Sequence, residues 1–208
     1  MKLRHLFFAC SGVFVMMFSL LLLVVIVFSD EEDGGSGGNL IYGGVSVSQE
    51  VLAHKPMLEK YAREYGIEEY LNVLLAIIQV ESGGTLEDVM QSSESLGLPP
   101  NSLSTEESIK QGCKYFSELL AAAGTKGCDL NSVIQSYNYG GGFLDYVAGR
   151  GKKYTFELAE SFSRDKSGGK KVTYTTPVAV EKNGGWRYSY GNMFYVLLVS
   201  QYLTVAQF

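Results

Sequence analysis

The chain has 208 residues, with 22 acidic and 17 basic side chains and a net charge of -5. At 12% aromatic and 19% charged residues it is not a disordered chain. The acid excess argues against a nucleic-acid partner, which would need a basic face.

Residues 6–28, from Leu6 to Phe28, contain no charged group. As a helix they would extend about 34 Å, against a bilayer core of about 30 Å. Lys2, Arg4 and His5 precede them, and Asp30, Glu31, Glu32 and Asp33 follow. This polarity keeps the amino terminus in the cytoplasm and exports the rest. A secretory signal peptide is the rival reading. The length of the tract, and the lack of a small-x-small site at Val25-Ile26-Val27-Phe28, favour an uncleaved single-pass anchor over 1–28. Cys10 sits inside the apolar tract, too early for a lipidation cysteine. Residues 29–45 are polar and rich in glycine, and read as a flexible linker. Residues 46–208 then form one domain, large enough to bury a core.

Within that domain the pattern is mainly helical. Val51, Leu52, Met57, Leu58, Tyr61 and Tyr65 give a helical spacing over 48–65, ended by Gly66, with Pro56 as a restart or kink. Residues 70–80 are almost all apolar and predict a central buried helix, stopped by Glu81-Ser82-Gly83-Gly84. A loop with Pro99-Pro100 spans 85–103. Ser104 and Glu107 form a capping box for a helix to about Ala123. Asp129 caps a shorter helix over 130–137. Further helical turns are expected at 143–148 and 155–163, a β-branched strand at 172–180, and an apolar helix at 192–203. The fold class is therefore mainly α (α+β), with a small β element.

Glu81 is the first residue with a chemical signature. Burial beside apolar neighbours disfavours its charge, and so does the negative end of the helix it terminates. A carboxyl kept protonated near neutral pH is what a general acid for glycosidic cleavage needs. A carboxylate turned out to solvent is the alternative.

Three strings then occur in order: AIIQVESGG at 76–84, DVMQSSES at 88–95 and IQSYNYGGG at 134–142. Together they resemble the signature segments of the lysozyme-like superfamily, which includes soluble lytic transglycosylases and goose-type lysozymes. Over residues 46–204 the chain most resembles the lysozyme domain of CwlT-like cell-wall hydrolases from conjugative elements of Gram-positive bacteria. The tail TPVAVEKNGGWRYSYGNMFYVLLVSQYL supports that resemblance.

The resemblance implies a lysozyme-like helical domain that cuts peptidoglycan between N-acetylmuramic acid and N-acetylglucosamine. It places Glu81 at the catalytic acid and Gln91 on the wall of the glycan cleft. Tyr137 and Asn138 fall at the Tyr-Asn pair, with Tyr137 close enough to hydrogen-bond near the acid and the sugar. Met90 and Ser93 are further cleft-wall candidates. It implies no metal and no organic cofactor. The partners expected are peptidoglycan glycan strands, the membrane through the amino-terminal helix, and a conjugation or secretion apparatus. Members of that group often carry a second, peptidase domain; with the chain ending at Phe208, none is expected here.

Where transglycosylases carry Gly-Leu-Met-Gln, this chain has Asp88-Val89-Met90-Gln91. The outcome of the reaction turns on a second carboxylate, for which Asp88 and Glu94 are the candidates. A base that activates water gives hydrolysis. Glu81 acting alone, as acid and then base, lets the substrate's own hydroxyl close an anhydro ring, which is lytic transglycosylation. A non-catalytic wall-binding protein or surface antigen is the rival outside the enzymes.

Cys113 and Cys128 fall on the exported side, where thiols oxidise, so a disulfide between them and two free thiols both stand open. Trp186, the sole tryptophan, reads as packing or as a sugar-stacking face. His54 reads as a surface group. Lys152-Lys153 and Lys170-Lys171 read as solvated basic runs.

Overall fold

The computed structural model describes residues 42–205. The expected membrane span at 6–28 lies outside the described residues. Among the described residues, no helix is long and apolar enough to cross a membrane.

The folded region begins inside the expected linker. Strand β1 (Tyr42–Val45) pairs antiparallel with β4 (Leu203–Val205), so the two ends of the domain close on one another. Glycine serves close approach in β1: a Cβ on Gly44 would lie 2.7 Å from the Thr204 hydroxyl.

Helices α1 (Gln49–Ala53) and α2 (Lys55–Glu64) divide at His54, with Pro56 in the first turn of α2, where its missing N–H costs nothing. Helix α3 (Leu71–Glu81) is buried from Val73 to Ile78 on every face, as its continuous apolar run requires. Helix α4 (Thr105–Lys126) opens on the Ser104–Glu107 capping box and lays Ile109, Cys113, Phe116, Leu119 and Ala123 along one buried stripe. Gly127 ends it at φ 71°, a left-handed cap. Asp129 then accepts from Ser132 N at 2.9 Å and starts α5 (Leu130–Tyr139).

A second, aromatic cluster gathers Tyr139, Phe143, Phe162, Tyr188 and Phe194. It is assembled from α6 (Gly142–Ala148), α7 (Phe156–Ser167), the antiparallel hairpin β2 (Lys171–Thr173) and β3 (Trp186–Tyr188), and α9 (Tyr195–Ser200). Tyr139, the last residue of α5, belongs to this cluster, while Tyr137 belongs to the core around α3. Helix α5 therefore joins the two clusters.

Two expectations are corrected, and the choice left open at the cysteines is decided. The strand expected over 172–180 ends at Thr173, and Pro177 opens helix α8 (Pro177–Asn183). Proline has no N–H for a ladder and its fixed φ suits a helix start, which outweighs the β-branched run. The helix expected over 192–203 is shorter, because its end leaves for β4. The disulfide is not formed: Cys113 and Cys128 are both free. The reason is length. Helix α4 rises about 20 Å between Cys113 and Lys126, and the two residues after Lys126 bring the chain back by about 7 Å at most. A disulfide needs Cα atoms within about 7 Å.

Candidate active site

Glu81 is the last residue of α3, and the turn after it is held from several sides. Gly83 and Gly84 have φ of 61° and 79°. A Cβ on Gly84 would meet the backbone of Glu50 and Val51 at 2.7 Å. Ser48 N donates to Gln79 Oε1 at 2.7 Å, and the His54 ring bonds the Gly84 carbonyl at 2.9 Å. His54 is thus part of the scaffold of the turn and not a bare surface group. Ser82 Oγ donates to the Val89 carbonyl at 2.7 Å, joining the end of α3 to the next segment.

Glu81 opens into a cavity of about 420 Å³, lined also by Gln91, Glu94, Tyr115, Tyr137, Asn138, Tyr139 and Tyr190. Burial raises its pKa from the usual 4.5 to about 7. A hydrogen bond from Tyr195 works against that rise, and the charges of Glu94 and Asp88 add to it. The Tyr195 hydroxyl donates to Glu81 Oε1 at 2.6 Å.

The two candidate second carboxylates separate sharply. Asp88 is fully buried. Its Oδ1 accepts from Ser92 N at 3.0 Å and Ser108 Oγ at 2.6 Å; its Oδ2 accepts from Ser93 N at 3.3 Å and from the Ser93 hydroxyl. Burial pushes its pKa up, and the hydrogen bonds from Ser108, Ser93 and Ser92 outweigh that and leave it below the usual carboxylate range. Asp88 is a structural anion that ties the loop after α3 to α4. Ser93 is spent on Asp88 and is fully buried, so it does not line the cavity. Glu94, one residue on, is the second residue of a short 3₁₀ turn (Ser93–Leu96), is exposed, and lines the cavity.

Gln91 adopts φ 48°. Its amide donates to the Asp88 carbonyl at 2.8 Å and to Asn101 Oδ1 at 2.7 Å, which sets it on the cavity wall. Met90 is buried. Tyr137 does not bond Glu81: its hydroxyl donates to the Met90 carbonyl at 3.0 Å, bracing the loop from below while the residue lines the cavity. Gly112 makes this fit, since a Cβ there would lie 2.5 Å from Met90 Sδ and 2.9 Å from the Tyr137 hydroxyl. Asn138 Oδ1 accepts from Asn192 N at 2.7 Å, and the Tyr190 hydroxyl donates to the Tyr139 carbonyl at 2.8 Å. These bonds fix the far wall. Gly191 completes it at φ 50°, where a Cβ would strike the Tyr139 ring at 2.5 Å.

The lysozyme-like family model matches residues 48–203, three quarters of the chain. The chain belongs to the lysozyme-like family. It is 40% identical over 163 residues to the bifunctional muramidase/DL-endopeptidase CwlT of Bacillus subtilis, covering 78% of this chain and 44% of that protein. It is 36% identical to the uncharacterized membrane protein YocA of the same organism, covering 74% and 69%. A crystal structure from Staphylococcus aureus, described as similar to a lipoprotein of the NLP/P60 family, is 72% identical with a TM-score of 0.77, covering 79% of this chain and 56% of that one. The chain thus spans about half the length of these first and last relatives.

In this lysozyme-like domain one carboxyl with a raised pKa faces the cavity from a buried helix end, and one exposed carboxyl group faces it from the loop. The arrangement suits protonation of a leaving oxygen on one side and activation of water on the other. Tyr195 is the residue that sequence reasoning missed. It lies in the run Phe194–Val199, which reads as plain core, and only the need of a buried tyrosine hydroxyl for a partner marks it out. Among the described residues, no group of three or more His, Cys, Asp or Glu is placed to hold a metal.

Proposed function

We propose that this domain is a muramidase that hydrolyses the bond between N-acetylmuramic acid and N-acetylglucosamine in peptidoglycan. The observation that carries the reading is Glu81: a carboxyl with a pKa of about 7, opening into a cavity walled by Gln91, Tyr137 and Asn138. The name of the CwlT relative, a bifunctional muramidase/DL-endopeptidase, agrees with it.

Glu81 gives its proton to the glycosidic oxygen as the carbon–oxygen bond breaks. The sugar passes through an oxocarbenium-like state. Glu94 takes a proton from a water on the other face, and that water's oxygen bonds to the anomeric carbon. Asp88 has no part in proton transfer, because all its hydrogen-bonding capacity towards the loop is used.

The locked Asp88 also favours a second reading, lytic transglycosylation. Among the lining residues it leaves Glu94 as the carboxylate besides Glu81. Without a competent base there, Glu81 acts twice and the product is an anhydro sugar.

The tract at 6–28 is proposed as a single-pass anchor that holds the domain outside the membrane, facing a Gram-positive wall. The descriptions of one relative as a membrane protein and of another as similar to a lipoprotein agree with a place at the membrane. Local wall opening for a conjugation or secretion apparatus, or wall remodelling, is the proposed use.

The test is loss of turbidity of purified cell walls with wild type and Glu81→Gln. The wild type clears the suspension and the variant does not; equal clearing would remove Glu81 from the mechanism. Mass spectrometry of the released muropeptides separates the two outcomes, because anhydro-muramoyl products weigh one water less than reducing ends.

A further inference from the structure

Charge is segregated along the described chain. Residues 42–149 carry fourteen acidic and six basic side chains, whereas residues 150–190 carry four acidic and nine basic ones. The basic part is built on the aromatic cluster, and its cations lie over rings. Lys171 Nζ is 3.4 Å from the centroid of Trp186 and 5.6 Å from that of Tyr188, and Lys182 Nζ is 4.3 Å from Phe156.

The hairpin β2–β3 places this pair deliberately. Thr173 is paired with Trp186 and Lys171 with Tyr188, so Lys171 and Trp186 are diagonal neighbours on one face. Trp186 is half-buried and Lys171 is exposed. Tyr188 stands edge-on to the indole, with ring centroids 5.2 Å apart at 83°. Asn183 clamps the backbone of Trp186 from both sides: its amide donates to the Trp186 carbonyl at 3.0 Å, and its oxygen accepts from Trp186 N at 3.2 Å. The backbone that carries the indole is therefore held in place.

The chain that leaves this hairpin runs into the wall of the active-site cavity. Tyr190 and Gly191 line the cavity, and the Arg187 guanidinium donates to the Gly191 carbonyl. Four residues of chain from Trp186 to Tyr190 span about 14 Å at most. The indole is therefore within a few sugar lengths of the Tyr190 wall of the cavity.

We propose that Trp186 and Lys171 form an outer subsite for the same peptidoglycan strand, in which a sugar face stacks on the indole and the Lys171 ammonium pairs with a carboxylate of the strand. The proposal rests on the muramidase reading for its ligand. In the free protein the ammonium caps the ring; in the complex it moves to the carboxylate while the sugar takes its place on the ring. The match is one of charge and shape. A flat aromatic surface suits the axial C–H face of a pyranose, and a basic lobe in an acidic protein suits a strand that carries carboxylates. A phosphate-rich wall polymer would use the lysines but not the indole.

The sole tryptophan gives a direct readout. The full chain carrying Glu81→Gln is titrated with soluble peptidoglycan strands that bear stem peptides, and Trp186 emission is followed. A saturable shift in emission is expected. Adding Lys171→Gln weakens the apparent affinity about fivefold, and Lys171→Arg restores most of it. Strands whose carboxyls have been amidated lose the same factor. Strands that compete with cell walls for wild-type cleavage but leave Trp186 emission unchanged would overturn the proposal. So would an equal response to a poly(glycerol phosphate) polymer without glycan. The two readings fail separately: cleavage without a Trp186 response removes the outer subsite alone, and a Trp186 response without cleavage removes the muramidase reading alone.

Discussion

The Tyr195 hydroxyl donates to Glu81 Oε1 at 2.6 Å across 114 residues of sequence. Tyr195 is itself almost wholly buried in α9, so this bond fixes the carboxyl plane from within the core. It also favours the ionised form and pulls the Glu81 pKa down against burial. Tyr195→Phe removes that pull, so the pKa of Glu81 rises further. The general acid then stays protonated to higher pH, and the alkaline limb of the kcat/KM profile moves up. The rate at the optimum falls about tenfold, because the carboxyl is no longer held in one plane. A pH–rate profile of the variant checks both effects; a limb moved to lower pH would contradict the role.

Glu94→Gln has the opposite signature. The Glu94 charge helps to hold the Glu81 proton, so its removal lowers the Glu81 pKa and moves the alkaline limb to lower pH. If Glu94 activates water, hydrolysis falls about 10²- to 10⁴-fold, and the residual product shifts towards anhydro-muramoyl ends. Product masses from wild type and variant, measured on the same walls, decide this. Unchanged rate and unchanged products would take Glu94 out of the reaction.

Much of this layout is legible in the sequence. The apolar run Leu71–Val80 shows a buried helix, and the glycines after Glu81 show where it stops. The capping box at Ser104 and the Asp129 cap lie where they were expected. What sequence reading cannot see is pairing between distant segments. The β1–β4 closure joins residues about 160 positions apart, and one glycine that looks like linker, Gly44, is needed there for close packing. Asp88 and Glu94 look alike in the string, yet three serines from two elements lock the first and leave the second exposed. Tyr137 shares a motif with Asn138, but its hydroxyl is used by the Met90 carbonyl, and the bond to Glu81 comes from Tyr195.

Asp88→Asn tests the loop clamp. An asparagine keeps one acceptor oxygen but turns an N–H towards Ser93, where two donors already point. Mispairing in a buried network costs about 2–3 kcal/mol. The expected result is a matching drop in unfolding free energy at pH 7, with activity lost beyond what the fold loses, since Gln91 and Glu94 are carried on this loop. The folded-state pKa of Asp88 is lowered, so its contribution is present above the unfolded value near 3.8 and disappears as pH falls through the folded value. Wild type and variant therefore converge in stability in strong acid. A constant gap at all pH values would show that the charge of Asp88 is not what holds the loop.

Glu81→Gln should make the fold more stable at alkaline pH. The folded-state pKa of Glu81 is raised from 4.5 to about 7, so the folded protein prefers the protonated form. Relative to that form, stability is fully present below about 4.5 and is lost as pH rises through about 7. The full shift corresponds to about 3 kcal/mol, and water in the open cavity screens the carboxylate, leaving about 1–2 kcal/mol. Glutamine stays neutral at every pH and its oxygen still accepts from Tyr195. Urea unfolding at pH 8 is expected to show the variant above wild type by that amount, with the two equal at pH 4. The gain in stability with loss of wall cleavage would mark Glu81 as a group kept for chemistry at the expense of the fold; a variant less stable than wild type at pH 8 would show that the carboxyl is not held in the neutral form.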